Sequence, residues 1–369
     1  MRNTKFVIVH LLWSLSTSAQ TPITRLDSFI HTLASNQPGI ALSIQKHGHI
    51  IYQNTAGLAD PSAGLAEPIT PIDSTTNFRL ASVTKQFTAM AILLLEKDHR
   101  LTVDDPIGHW LPELPKKIGQ HILIRHLLTH SSGIIDYESL IPDTQTTQVL
   151  DADVLNLLSH HDSTYFTPGT RFRYSNSGFC LLALIIERAG HQSYADFIKD
   201  SIFLPLHMDH STVYEKDHDI YHRAMGYAKD STGKTFRRDQ SVTSATKGDG
   251  GIYTSLVDYR KWILALQQNR LINLPATLHR LKFPVGNKTN SDYAAGWFIS
   301  SQSPTILFHS GSTCGFNNYV IQIPANDWSI TFFSNLADSQ ATFLQILRLL
   351  KDSGAPDLTK IMALEEQTR

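Results

Sequence analysis

Asn77-Phe78-Arg79-Leu80-Ala81-Ser82-Val83-Thr84-Lys85 starts as a short extended run, Asn77 to Leu80, and turns at Ser82 into a helix expected to reach about Asp98. Phe87, Ala91, Leu94 and Leu95 recur there at helical spacing. Residues i and i+3 share a helix face, so the nitrogen of Lys85 can reach the hydroxyl of Ser82. A serine hydroxyl is a poor nucleophile until a neighbour takes its proton, and a helix N-terminus favours negative charge developing there. The S-x-x-K spacing alone carries little, because Ser43 with Lys46, Ser231 with Lys234 and Ser244 with Lys247 repeat it. Only the Ser82 copy is expected to open a helix.

On the N-terminal side, residues 24–35 read as a helix, and residues 39–46 and 49–56 as a hairpin turning at His47-Gly48. On the C-terminal side, the pattern from residue 101 to 206 is helical between Pro and Gly signals, notably at 124–128, 149–158 and 178–189. From residue 292 it reverses. Residues 293–300, 305–309, 319–323 and 329–334 are short apolar or alternating runs, expected to be adjacent antiparallel strands, and 341–351 is an amphipathic helix. The expected fold class is mixed α/β: an antiparallel sheet flanked by helices and built from both chain ends, about 20–81 and 240–352, with a mostly helical part, about 82–239, between them. Residues 353–369 form a polar tail.

Two further short motifs stand on loops or strands where they can meet Ser82. Tyr174-Ser175-Asn176 follows Pro168-Gly169 and leads into an apolar helix. A phenol beside an ammonium relays protons more easily than its reference pKa of about 10 implies, and the Asn176 amide can both donate and accept. Tyr52 and Asn54 repeat the spacing inside an expected strand. His309-Ser310-Gly311, followed by Ser312, closes an expected strand whose edge can offer N–H groups to an oxyanion.

The order S-x-x-K, Y-x-N, basic-x-Gly resembles the serine β-lactamase and penicillin-binding-protein superfamily. Its Tyr form is similar to class C β-lactamases, DD-peptidases and β-lactamase-like esterases. Ile124-Arg125-His126-Leu127-Leu128-Thr129-His130-Ser131-Ser132-Gly133, Phe166-Thr167-Pro168-Gly169, Gly250-Gly251-Ile252-Tyr253 and Gly296-Trp297 extend the resemblance over roughly residues 25 to 350. It implies a β-lactamase/transpeptidase-like fold, Ser82 as acylated nucleophile, Lys85 as its activator and Tyr174 as proton carrier. Asn176, His309, Gly311 and Ser312 would bind substrate, with the backbone N–H groups of Ser82 and Ser312 as oxyanion hole. The resemblance leaves open whether Lys85 or Tyr174 is the first base.

One departure bears on substrate. The lactamases of the superfamily carry Lys-Thr-Gly where this chain has His309-Ser310-Gly311. An imidazole is mostly neutral at pH 7, so a permanent cation for a substrate carboxylate is missing. The expected activity is hydrolysis of small esters or D-amino-acid amides and peptides. A true β-lactamase or DD-carboxypeptidase is the alternative within the fold, and an inactive cell-wall-peptide binder or sensor the alternative outside enzymes.

Composition narrows the partners. Lys plus Arg number 32 against 33 Asp plus Glu, with no run of five like charges, which disfavours nucleic acid. Arg2 and Lys5, an apolar stretch and Ser16-Thr17-Ser18-Ala19 form a secretory-signal pattern over 1–19, implying an exported periplasmic or secreted protein without a stable membrane anchor once that segment is removed. Cys180 and Cys314 lack C-x-x-C spacing and are expected to be free thiols. His126 with His130 and His218 with His222 stand four apart, yet neither pair lies in H-E-x-x-H, so neither metal nor cofactor is expected. No G-x-S-x-G suggests an α/β-hydrolase nucleophile elbow.

Overall fold

The computed structural model describes residues 22–62, 70–286, 291–300, 304–351 and Leu358. The signal-like segment 1–19 and, Leu358 apart, the tail 353–369 lie outside the described residues.

The hairpin forms as its sequence directs: strands Ile40–Lys46 and His49–Ala56 join through His47 and Gly48, both at positive φ. That is the geometry a tight two-residue hairpin turn requires. The first strand then pairs antiparallel with Trp328–Ser334, from the opposite end of the chain, in the register Ile40 to Ser334 through Lys46 to Trp328. The eight-stranded sheet runs, edge to edge, His49–Ala56, Ile40–Lys46, Trp328–Ser334, Phe316–Ile323, Leu307–Thr313, Trp297–Ser300, Ser291–Ala294 and Phe283–Pro284. Mixed α/β architecture with a sheet built from both chain ends is thus what the sequence pattern indicated.

Both sheet faces are covered, which explains why the central strands are buried along nearly their whole length. One face, through Leu42, Ile44, Ile330 and Phe332, packs on the two terminal helices Pro22–His31 and Gln340–Lys351 by way of Leu26, Ile30, Phe343 and Ile346. The other, through Ala41, Val320 and Phe333, shares a core with Phe87 and Trp262, whose rings stack at 4.2 Å. Phe87 lies on the helix Lys85–Lys97, which follows a 3-10 turn at Ala81–Thr84. Ser82 is therefore carried on a rigid, buried support.

Helices Ile124–Leu128, Asp151–Ser159 and Asn176–Gly190 match the expected positions to within a turn. The stretch expected to be mostly helical also holds short strands, Thr212–Val213, Tyr227–Lys229 and Thr235–Arg237. Helices Leu256–Gln267 and Leu274–Leu281 fall within the expected α/β part, ahead of residue 292, where no particular element was expected.

Two strand expectations need correction. Residues 293–300 are not one strand: Ala295 and Gly296, both at positive φ, fold the chain back, giving Ser291–Ala294 and Trp297–Ser300. A Cβ on Gly296 would come within 2.6 Å of the Gln86 backbone, so the turn presses against the serine helix and only glycine fits. The strand expected at 305–309 runs from Leu307 to Thr313, which puts His309 inside it rather than at its end.

Candidate active site

The extended lead Phe78–Arg79 pairs with Ile252–Thr254, placing Phe78 opposite Thr254. Leu80 N–H donates to the Ile252 carbonyl at 2.8 Å, and the Arg79 guanidinium donates to the carbonyls of Gly250 and Ser244. The chain then passes through Ala81, a buried non-glycine residue at φ +50°. Such a conformation costs on the order of 1–3 kcal/mol and persists only where neighbours enforce it. The reversal at Ala81 sets Ser82 at the head of its turn.

Lys85 is wholly buried, and three acceptors surround its nitrogen: Ser82 Oγ at 3.3 Å, Asn176 Oδ1 at 2.8 Å and the Asp249 carbonyl at 2.9 Å. Three acceptors match the three hydrogens of an ammonium. The Lys85 nitrogen also sits 5.0 Å from the centre of the Tyr174 ring and 5.4 Å from that of Phe179. Asn176 turns its other end outward, its Nδ2 donating to Glu138 Oε1 at 2.6 Å. Loss of water around the Glu138 carboxylate pushes its pKa up, although part of the side chain stays open to solvent, while the Asn176 bond pulls it down. Nothing in the motif spacing pointed to Glu138 or Asp249, the latter acting through a carbonyl that any residue possesses.

Tyr174 is held from behind by His130, whose ring centre lies 4.2 Å from that of the phenol. His130 is fully buried at φ +54° and accepts the Ser175 N–H at Nδ1. Burial, and then the charge of Lys85, hold its pKa well below the ordinary histidine value, so it is a neutral packing group. The Tyr174 hydroxyl is buried without a hydrogen-bond partner among the described residues. A buried phenol oxygen left unpaired costs stability, which marks it as a group with something else to bind.

The third wall is the Leu307–Thr313 strand. On one side it pairs along its length with Phe316–Ile323; on the other, pairing with Trp297–Ser300 involves only Leu307 and Phe308. Beyond Phe308, that second edge has no strand partner among the described residues. The Ser300 N–H bonds the Ile306 carbonyl, so by strand alternation the backbone groups of residues 308, 310 and 312 face this edge. The Ser312 N–H thus lies on the open side. Gly311 permits the close approach: a Cβ there would overlap the Leu80 carbonyl oxygen and stand 3.1 Å from the Ser82 nitrogen.

His309 is buried, and both ring nitrogens are engaged, Nδ1 with the Ser310 carbonyl at 2.6 Å and Nε2 with the Tyr293 hydroxyl at 3.1 Å. Nδ1 donates to the carbonyl, and Nε2 and the phenol share the second bond, which a neutral imidazole can accept.

Ser82, Tyr174, His309 and Ser312 line one cavity of about 830 Å³, whose lining also includes Phe166, Phe172 and Arg173. Arg173 is tied to Asp136 at 2.6 Å. The other S-x-x-K copies do not share this setting. Ser43 lies in the central strand Ile40–Lys46, Ser231 is exposed in a turn, and Lys247 of the Ser244 pair bonds Glu215 instead. Cys180 is buried and Cys314 half-buried, and both are free thiols. Among the described residues, no three metal-ligating side chains cluster, and no helix is long and apolar enough to cross a membrane.

Known proteins resemble this chain over most of its length. The chain is 32% identical over 306 residues to penicillin-binding protein 4* of Bacillus subtilis strain 168, covering 78% of this chain and 66% of that protein. It is 29% identical over 310 residues to protein flp of Staphylococcus aureus strain NCTC 8325 / PS 47, covering 81% and 60%. The chain therefore spans about two thirds or less of the length of these curated relatives. Among solved structures, a penicillin-binding protein from Bacillus halodurans superposes with a TM-score of 0.76 at 27% identity, over 88% of this chain and 98% of that one. A D-amino acid amidase from Ochrobactrum anthropi SV3 shares the fold, with a TM-score of 0.73 at 22% identity over 90% and 98%. The Beta-lactamase family matches residues 26–353, which take in every strand of the sheet and each wall of the cavity around Ser82. By sequence and by fold, the chain belongs to the Beta-lactamase family.

Proposed function

We propose that this chain is a serine hydrolase working through an acyl-enzyme on Ser82, with small carboxylic esters or D-amino-acid amides and peptides as substrates. The observation that carries this reading is the buried Lys85 nitrogen held between Ser82 Oγ, Asn176 Oδ1 and the Asp249 carbonyl. Ser82 Oγ attacks the substrate carbonyl carbon, and the resulting oxyanion is received by the N–H groups of Ser82 and Ser312. An ammonium at Lys85 stabilises negative charge on the serine oxygen. The Tyr174 hydroxyl, otherwise unpaired, accepts the proton from Ser82 Oγ as it passes its own proton to the departing alcohol or amine, whose acyl–oxygen or acyl–nitrogen bond breaks. Water then attacks the acyl-enzyme along the reverse route and returns the proton to Ser82.

A histidine in place of a permanent cation, with both ring nitrogens engaged inside the protein, supports uncharged substrates over penicillins and cephalosporins. The signal-like segment 1–19 supports work outside the cytoplasm. A panel of short-chain aryl esters, nitrocefin and D-amino-acid amides, with fluorophosphonate labelling, tests the reading. Wild type is expected to label at Ser82 and to prefer the esters and amides. Changing His309→Lys is expected to shift kcat/KM ratios towards anionic substrates by about tenfold, the equivalent of about 1.4 kcal/mol for one added charge contact. Efficient nitrocefin cleavage at pH 8 with no ester hydrolysis would reverse the substrate assignment, and failure to label would favour the inactive binder.

A further inference from the structure

Asp151 belongs to none of the motifs above, yet it is one of the few buried carboxylates in the molecule. It begins the helix Asp151–Ser159 and faces the turn 247–249. Its Oδ2 accepts the Lys247 N–H at 2.9 Å and its Oδ1 the Gly248 N–H at 3.3 Å. The same turn is gripped from the serine helix, where Thr88 Oγ1 donates to the Gly248 carbonyl at 2.6 Å. A Cβ on Gly248 would overlap the Phe179 carbonyl oxygen, so the turn cannot shift that way. The next carbonyl along, that of Asp249, is the one that accepts from Lys85.

Burying a carboxylate is costly unless its partners compensate. Two backbone amides aimed at one carboxylate compensate in part, and they fix consecutive peptide planes. We propose, resting on the role given above to Lys85, that Asp151 is a positioning residue for that lysine: by clamping the Lys247 and Gly248 amides it holds the Asp249 carbonyl where it aims the Lys85 nitrogen at Ser82.

The clamp is also proton-sensitive. Burial pushes the Asp151 pKa up to about 7, the nearby Asp249 charge adding to the rise while the two amides oppose it. Cys180 and Tyr194 face it from their helices, and the Lys247 ammonium is turned away to Glu215. The ionised form accepts from both amides, whereas a protonated carboxyl loses one acceptor, so the clamp tightens as pH rises through about 7. Stability moves the other way. A carboxyl whose folded pKa is raised binds more protons folded than unfolded, so stability falls as pH rises from the ordinary Asp value of 3.8 to about 7.

The test uses the full chain with Asp151→Asn and, as a second release of the same turn, Thr88→Val. kcat and KM on p-nitrophenyl butyrate, the pH profile of fluorophosphonate labelling, and Tm are measured together. Expected for Asp151→Asn is a Tm at pH 8 no lower than wild type, a kcat fall of about tenfold with KM within about twofold, and loss of the labelling limb centred near pH 7. Thr88→Val is expected to lower kcat in the same way if the Asn variant does not fold. Unchanged kcat in the folded variants, or a labelling limb that persists in Asp151→Asn, overturns the proposal alone. Wild type that fails to label at Ser82 overturns the serine-hydrolase reading, and this proposal with it.

Discussion

Ser82 and Lys85 differ in what surrounds them, and so in what their loss does. Ser82→Ala removes one hydroxyl from the cavity wall and a long 3.3 Å contact, so hydrolysis is expected to vanish while Tm stays near the wild-type value. Lys85→Ala should also abolish turnover, but it strands Asn176 Oδ1 and the Asp249 carbonyl in a buried place. Each unsatisfied acceptor costs about 1–3 kcal/mol, so this variant is expected to melt clearly lower. Residues acting as a unit are non-additive, and the double variant should be little slower than either single one in steady-state assays. A Ser82→Ala enzyme that kept its activity would return attention to Ser231 or Ser244. Ser82, Lys85, Tyr174 and Asn176 were legible because their types and spacing are chemically demanding. Glu138, Asp151 and Asp249 were not, since a carboxylate is ordinary in sequence and becomes telling only when it is buried or when its carbonyl meets an ammonium. His309 was legible as a position but not in its bonds to Ser310 and Tyr293, which depend on strand pairing that spacing does not reveal.

At the level of elements, the short glycine motifs prove to be points where two elements touch. Gly311 brings the open strand edge against the serine turn, and Gly296 brings the preceding strand turn against Lys85 and Gln86. Gly311→Ala forces a methyl into the Leu80 carbonyl, so the strand must move away from Ser82. Overpacking of this kind typically costs about 1–3 kcal/mol. The variant is expected to fold with a lowered Tm and to lose fluorophosphonate reactivity, and wild-type labelling rates in it would show that the Ser312 edge does not serve the oxyanion. The hairpin and the serine helix could be read directly from periodicity. The Ala295-Gly296 reversal could not, because an unbroken apolar run from 293 to 300 looks the same whether the chain continues or folds back.

For the molecule as a whole, the terminal helices are structural partners of the sheet on the face that Ser82 does not use. Phe343 stacks on Tyr319 at 4.3 Å with the rings nearly parallel, and it is fully buried. Phe343→Ala is expected to cost about 3–5 kcal/mol in denaturant unfolding while leaving kcat/KM of the folded fraction unchanged. A large kinetic effect there would show that the two faces are coupled. The two-part origin of the sheet was legible because apolar strand patterns cluster at both ends of the chain, whereas the pairing order across eight strands was not, as it depends on contacts between distant segments. That origin also acts on time. The Gly39 N–H bonds the Asn335 side chain 296 residues further on, and ribosomes add about 5–20 residues each second. The hairpin therefore waits roughly 15–60 s for its neighbour, with an unpaired edge open to misassociation meanwhile. A chain that stops short of the Leu307–Thr313 strand holds no finished cleft, so synthesis itself keeps the nucleophile idle until that strand is made.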